Sequence, residues 1–397
     1  MIFKRDIAKT LLRFTKFPVV AILGPRQSGK TTLARETFKD HLYFTLENPA
    51  VLEFIQRDPE QFLRSNENEH GIILDEFQHA PALLSYLQIE SDQKYRPGYF
   101  ILTGSQNFLM NEAISQSLAG RVGILNLLPL SIHELEDNNK LLSIDQMIIQ
   151  GGYPRIHAKN FLPQELFPSY MATYVERDVR QLINVENLTA FQNFMKLCAG
   201  RSGQLLNIAD IAMNCGINRK TAESWLSILE TSYILFRFKP YFNNFNKRLT
   251  KTPKIYFYDT GLACYLLGIK TVKELSASPF RGHLFENFII ADFYKQYFVL
   301  GADPSLYFWR DQNGRLEVDC LIDMGNSIVP VEIKSSETII TDFFTNLGHW
   351  REIAGEQAAQ ESYIVYGGHM EQQRSAGHVI SWESAGSLVT RLEKARE

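Results

Sequence analysis

Several things are scarce in this 397-residue chain, and each scarcity excludes a class of protein. Cysteine comes first: Cys198, Cys215, Cys264 and Cys320 stand singly with no C-x-x-C pair, so neither zinc nor a disulfide framework is indicated, and buried thiols are expected. No run of 18 apolar residues occurs, which excludes a membrane-spanning helix. The opening Met1-Ile2-Phe3-Lys4-Arg5-Asp6 lacks the apolar run and small-residue cleavage site of a signal peptide, so a cytoplasmic location is expected. Charge of one sign is not in excess either. A net −3 neither demands nor excludes nucleic acid, because a local basic stripe suffices. With 45% hydrophobic and 21% charged residues the composition is that of a soluble globular protein, and the length allows about two to four domains.

What is present is concentrated in a few stretches. The β-branched run Val19-Val20-Ala21-Ile22-Leu23 stops at Gly24-Pro25, and Gly24-Pro25-Arg26-Gln27-Ser28-Gly29-Lys30-Thr31-Thr32 fits G-x-x-x-x-G-K-[ST]. The pattern reads as strand, phosphate loop, helix. Its glycines let consecutive backbone N–H groups turn inward around a polyphosphate, and the following helix adds the positive end of its dipole. Lys30 is expected to reach the β- and γ-phosphates of ATP and Thr31 to ligate Mg²⁺. Downstream, Gly71-Ile72-Ile73-Leu74 is an apolar strand ending in Asp75-Glu76. An aspartate there can hold the metal shell and an adjacent glutamate can polarise the attacking water, so Asp75 is assigned to the metal and Glu76 to the water. A further strand, Tyr99 to Leu102, ends at Thr103-Gly104-Ser105-Gln106-Asn107. Ser105 or Asn107 is placed to sense the γ-phosphate, or else forms a local turn or helix cap. In Ser117-Leu118-Ala119-Gly120-Arg121 the arginine is a candidate to stabilise charge on the transferred phosphoryl group, in cis or from a neighbour, with a surface ion pair as its other reading.

Residues 19 to 135, with GPRQSGKTT, IILDEFQHAP, TGSQN and SLAGRV in that order, resemble the AAA+ superfamily ATPases of the archaeal and bacterial group that carries a winged helix and a nuclease-like C-terminal domain. The resemblance implies Lys30 and Thr31 on nucleotide and Mg²⁺, Asp75 and Glu76 as the Walker B pair, Ser105 near the sensor position, and a ring or other homo-oligomer. Beyond the loop at Asp137-Asn138-Asn139-Lys140, Gly151-Gly152-Tyr153-Pro154-Arg155 and the helical pattern through Tyr174 to Arg180 resemble the same group's lid.

Leu205 to Glu230 carries a helix-turn-helix pattern: a helix from Ile208 to Asn214, a turn at Cys215-Gly216-Ile217, and a capped helix from Asn218. Ala222, Trp225, Leu226 and Leu229 form its buried stripe and leave Arg219, Lys220, Glu223 and Ser224 outside, a face able to enter a major groove. From Arg237 to Lys254 there are six basic residues and no acid, interleaved with Tyr241, Phe242 and Phe245. This suits a wing contacting the phosphates of DNA, with Lys247 and Arg248 among its cations; the alternative is a module that packs against protein.

In the last third, Arg315 to Ile322 and Ser327 to Lys334 are two apolar strands joined through Met324-Gly325-Asn326. With Gly325-Asn326 as a two-residue loop, paired residue numbers sum to 651. One face then pairs Val318 with Ile333, Cys320 with Val331 and Ile322 with Val329, all core. The other pairs Glu317 with Lys334 and sets Asp319 against Glu332, which is destabilising unless a cation or proton intervenes. Mg²⁺ or Mn²⁺ between the two carboxylates, with Lys334 beside them, is an arrangement that cleaves phosphodiesters. Pro330 fits a central strand poorly. Asp319 and Glu332-Ile333-Lys334 resemble the D…E-x-K core of the PD-(D/E)XK restriction-endonuclease-like superfamily, which often adds an acid from a preceding helix, here Glu286. Such domains can also lose catalysis.

The expected architecture is α/β: a P-loop AAA+ core (1–135), a helical lid (136–200), a winged helix-turn-helix (201–255) and a C-terminal α/β restriction-endonuclease-like domain (256–397). The expected function is ATP hydrolysis with Mg²⁺ and binding of nucleic acid, DNA first, which the Mg²⁺-dependent C-terminal site is expected to cut. The alternative is an ATP-driven regulatory switch whose C-terminal domains only bind.

Overall fold

Five of the apolar runs become the parallel strands of one sheet: β1 (Val19–Gly24), β2 (Leu42–Thr45), β3 (Ile72–Asp75), β4 (Phe100–Ser105) and β5 (Val122–Asn126). Their order in space is β2-β3-β4-β1-β5. The structure, a computed structural model, describes residues 2–105, 114, 117–174, 188–241, 251–311 and 313–396. Every position of β1 is buried, as a parallel strand covered on both faces requires. Val19, Ala21 and Leu23 enter one core with Leu74, Phe77 and Leu87, while Val20 and Ile22 enter the other with Ile7, Leu11, Leu33 and Ala34. Because the strands are parallel and in register, their C-terminal ends form one edge. There Gly24 stands beside Ser105, and Asp75 beside both Thr45 and Thr103. Arg121 lies at the other edge, immediately before β5, where its carbonyl accepts the Val19 N–H at 3.2 Å.

This sheet belongs to one compact unit, made of the chain up to Pro129 with residues 231–233 and 298–301. The second unit holds the remainder, including the helix Ile132–Asp137, most of which was expected in the core, and the helices Ile144–Gln150, Pro154–Lys159, Pro163–Thr173 and Leu188–Ala199 in the span expected to be a lid. The Gly151-Gly152 pair has a specific reason there. The Gly152 N–H donates to Asp259 Oδ2 at 2.7 Å, and a Cβ on Gly151, whose φ is 66°, would lie 2.2 Å from Asp259 Oδ1. Buried Asp259 also caps the helix Thr260–Leu267 by accepting the Leu262 N–H at 3.0 Å. One carboxylate thus fixes two segments distant in sequence.

The helix-turn-helix pattern folds as Ile208–Cys215, a left-handed Gly216 (φ 66°), and Arg219–Thr231, with the Thr221 N–H capped by Asn218 Oδ1 at 2.8 Å. Ala222, Trp225, Leu226 and Leu229 are buried, and Trp225 meets Phe191 and Phe194 edge-on at 5.2 and 5.6 Å. Two antiparallel strands follow, β6 (Leu235–Phe238) and β7 (Lys254–Phe257).

A mixed sheet completes this unit: β8 (Leu306–Arg310), β9 (Glu317–Asp323), β10 (Ile328–Lys334), β11 (Tyr363–Tyr366), β12 (Gln372–Arg374) and β13 (Gly377–Ser381), in the order β12-β13-β11-β10-β9-β8. The β9–β10 register is the one expected from the two-residue loop: Ile328 pairs with Asp323, Val329 with Ile322 and Val331 with Cys320. Gly325 takes a positive φ of 83°, and the Met324 N–H reaches Ser327 O at 2.9 Å. Pro330 is tolerated for a local reason. The Ile328 carbonyl, two residues earlier, points away from β9 to the Ala359 N–H, so the proline nitrogen faces the same side, where pairing with β11 starts only at Val331. Replacing Asp259 by Ala leaves the Gly152 and Leu262 N–H groups unpaired and should lower stability by about 2 kcal/mol, measured as a fall in the thermal unfolding midpoint.

Candidate functional site

The phosphate-loop pattern closes over the end of β1 as a backbone cradle. Gly24 cannot carry a side chain, since a Cβ would lie 2.2 Å from Leu127 O. Gln27 and Gly29 take positive φ values of 62° and 97°, and Lys30 opens the helix Lys30–Thr37. Lys30 is buried and folds back across the loop, its Nζ donating to Gly24 O at 3.0 Å and Pro25 O at 2.7 Å. Ser28 Oγ is buried in the loop and has no hydrogen-bond partner among the described residues. From outside the motif, Arg5 steadies the loop by donating to Ser28 O at 2.8 Å and Leu128 O at 2.7 Å, a role the motif gave no means of seeing. Arg26 is partly exposed and Thr32 is exposed.

Asp75 is the centre of the site. Its Oδ1 accepts the Thr31 hydroxyl at 2.7 Å and the Thr103 hydroxyl, and its Oδ2 accepts the Tyr43 hydroxyl at 2.8 Å. Burial, together with the hydrogen bond to Asp75, pushes the Tyr43 phenol up to about 12. Thr103 and Tyr43 were given no role from the sequence, where only strand order would have placed them against Asp75. Beside Asp75, Glu76 has a left-handed backbone (φ 54°), and the Gln78 amide donates both to Glu76 and to Ser105 Oγ at 3.2 Å. Lys30, Thr31, Asp75, Glu76 and Ser105 therefore converge on one edge. Arg121 does not. It precedes β5 at the opposite edge, where Asp92 holds its guanidinium through two contacts of 2.5 and 2.9 Å, so the cis role is corrected to an ion pair. Asn107 lies outside the described residues.

A second cluster forms on the mixed sheet. Asp319 Oδ2 accepts the Ile333 N–H at 2.8 Å and the Lys334 ammonium at 3.0 Å, and Lys334 also meets Glu332. The expected Glu317–Lys334 pair does not form. Glu317 instead meets Arg310 at 3.1 Å and Lys254 at 2.5 Å. Lys254, buried at the start of β7, also reaches Glu286 Oε1 at 2.9 Å, and the Tyr256 hydroxyl caps the same oxygen. The electrostatics follow from this division. Burial alone would raise Asp319, but Lys334, Lys254 and the Ile333 N–H outweigh it and hold the carboxyl below its usual range. Burial and the neighbouring Asp319 carry Glu332 well above, and burial raises Glu286. Burial would lower Lys254 and Lys334, yet the carboxylates around them win and both are raised. Glu332 Oε1 is buried with no partner among the described residues. Glu286, Asp319 and Glu332 do not bring three oxygens within 4.8 Å of one another, so the expected three-acid metal set is not assembled. Lys254, absent from the expected set, stands among these acids.

On the helix Arg219–Thr231, Arg219 and Lys220 are exposed, and Arg219 pairs with Glu223 at 2.9 Å. Lys247 and Arg248, the other two expected nucleic-acid contacts, lie outside the described residues. No helix of the described residues is long and apolar enough to cross a membrane.

Comparison with known proteins agrees with an ATPase-like first unit. Residues 16–136 match the AAA domain family, residues 141–273 a domain of unknown function (DUF8612) and residues 281–385 another (DUF4143). The phosphate loop on a parallel sheet, with Asp75 facing Thr31, makes the first unit a P-loop ATPase domain of the AAA+ class. The uncharacterized protein Rv2008c of Mycobacterium tuberculosis is 31% identical over 343 residues, which are 85% of this chain and 75% of that protein, and the uncharacterized protein Mb2031c of Mycobacterium bovis matches to the same extent. The chain belongs to the family of these two mycobacterial proteins. Among solved structures, the Walker-type ATPase of Pyrococcus abyssi aligns at 15% identity and a TM-score of 0.42, over 67% of this chain and 96% of its own.

Tyr43→Phe removes one of three hydroxyls from Asp75 without altering the phosphate loop. It should reduce Mg²⁺-supported ATP turnover by about tenfold or less while leaving Mg²⁺-free ADP affinity unchanged, read by steady-state kinetics and calorimetry.

Proposed function

We propose that the chain binds ATP with Mg²⁺ in its first unit, hydrolyses it, and uses the second unit to hold nucleic acid, most simply DNA. The observation that carries the first part is the pairing of Thr31 Oγ1 with Asp75 Oδ1 at 2.7 Å beneath a glycine cradle. A hydroxyl and a carboxylate side by side are oxygen donors of the kind Mg²⁺ takes, so Thr31 and Asp75 would hold the ion. Bound there, Mg²⁺ would supply neutralisation of phosphate charge. In this reading the backbone from Gly24 to Lys30 receives the phosphates, and the Lys30 ammonium exchanges its two carbonyl partners for phosphate oxygens. Glu76 accepts the proton of the attacking water, and Ser105 contacts the γ-phosphate. The class also implies a homo-oligomer, in which an arginine from a neighbour would complete the site.

The helix-turn-helix followed by an antiparallel strand pair supports a winged helix, and its exposed Arg219 and Lys220 suit a phosphate backbone. The β9–β10 hairpin with Asp319, Glu332 and Lys334 supports a PD-(D/E)XK-like domain. For that domain the alternative reading, binding without cleavage, is favoured by one specific observation: the Lys254 ammonium occupies Glu286 and Glu317, where a cation would compete with it. The buried, unpartnered Glu332 Oε1 is the feature that still fits a metal ion.

Lys30→Ala should lower ATP turnover by at least about a hundredfold, since it removes the ammonium held in the phosphate loop. DNA should raise the wild-type rate, and a rate indifferent to single- and double-stranded DNA would favour the switch reading. The C-terminal site is tested by Mg²⁺- or Mn²⁺-dependent DNA cleavage by wild type, Asp319→Ala and Lys254→Met, each with and without ATP. The geometry predicts no cleavage by wild type without ATP and none by Asp319→Ala. Brisk ATP-independent cutting by wild type would refute the blocking role of Lys254.

A further inference from the structure

Among the described residues, Gln78 touches both Glu76 and Ser105, and the roles given to the phosphate loop and to the acid pair do not call for a glutamine there. It sits in the single turn Phe77–His79 that follows β3. Phe77 is fully buried and pins the turn to the core, and the His79 N–H closes it onto Glu76 O at 3.1 Å. Glu76 itself has φ 54°, a left-handed conformation that an L residue keeps only when its surroundings hold it. The Gln78 Nε2 group donates to a Glu76 carboxylate oxygen and, at 3.2 Å, to Ser105 Oγ, whose residue stands in register with Gly24 of the phosphate loop. Its other amide atom, Oε1, is buried and has no hydrogen-bond partner among the described residues.

We infer that Gln78 is a positioning residue for ATP hydrolysis, its amide fixing the Glu76 carboxylate against Ser105 so that the attacking water is held between the base and the γ-phosphate. The inference rests on the ATPase reading above. In the step it serves, the water oxygen bonds to the γ-phosphorus while the bond from that phosphorus to the bridging oxygen of ADP breaks. The water proton passes to the Glu76 carboxylate, and inorganic phosphate and ADP leave. The amide acts through Glu76: its N–H group donates to the carboxylate and to Ser105 Oγ, and so fixes the direction in which the carboxylate points. A purely structural glutamine would stabilise the turn and leave turnover alone.

The test compares the full chain with Gln78→Leu, Gln78→Glu and Glu76→Gln, measuring ATP turnover with Mg²⁺ and ADP affinity by calorimetry. Gln78→Leu should lower kcat by about ten- to a hundredfold with ADP affinity within about twofold of wild type. Gln78→Glu keeps the shape but replaces the donating amide by a carboxylate that cannot donate to Glu76, so its kcat should fall as far as that of Gln78→Leu. Gln78→Leu with wild-type kcat, alongside an inactive Glu76→Gln, overturns this inference alone. Loss of ADP affinity in Gln78→Leu together with turnover also overturns it, because the residue would then serve the loop's fold. A wild-type chain that binds ADP and hydrolyses no ATP overturns the ATPase reading as well.

Discussion

The first unit depends on a single carboxylate that accepts three hydroxyls. Asp75 draws Thr31 from the helix after the phosphate loop, Thr103 from β4 and Tyr43 from β2, so four chain segments meet on two oxygen atoms. The parallel register makes this possible by bringing Thr45, Asp75 and Thr103 level at the ends of adjacent strands. A buried carboxylate without partners would be expensive, and each hydroxyl both removes that penalty and fixes a side chain the site needs. Tyr43 is held from its other side by the Arg35 guanidinium, 4.7 Å from the ring centre, so the hydrogen-bonding end of the phenol is not free to swing away.

How much of this was legible in the sequence depended on whether a feature is local. The glycine spacing from Gly24 to Lys30 and the acids after Leu74 are local signatures, and the residues they name meet at one edge. Tyr43 and Thr103 were given no role from the sequence, since their contact with Asp75 is set by which strands are neighbours, and spacing along the chain does not encode that. Arg121 shows the converse. A glycine-arginine pair near the end of the core invited a catalytic reading, but the parallel direction of β5 puts the residue just before that strand at the far edge, where Asp92 claims it.

The β9–β10 hairpin was legible for a physical reason of its own. A strand has a side-chain period of two, so a one-residue slip would turn Val318, Cys320 and Ile322 out of the core, and the glycine loop leaves one alternative. That register correctly places Asp319 near Glu332 and Lys334. It says nothing about which cation answers which carboxylate, because Lys254 comes from a strand some sixty residues earlier in the chain. The Glu317–Lys334 pair expected across the hairpin fails for this reason: Lys254 and Arg310 reach Glu317 first, and Lys334 turns to Asp319.

The resulting arrangement constrains what the second site can do. Four carboxylates, from Glu286, Glu317, Asp319 and Glu332, gather around two ammonium groups, and the more deeply buried of the two belongs to the strand pair that follows the helix-turn-helix. Withdrawing Lys254 alone would leave Glu286 with only the Tyr256 hydroxyl and Glu317 with only Arg310, a loss of several kcal/mol. Lys254 thereby fastens carboxylates of the mixed sheet to the strand pair that follows the helix-turn-helix, a tie that spacing along the chain could not reveal.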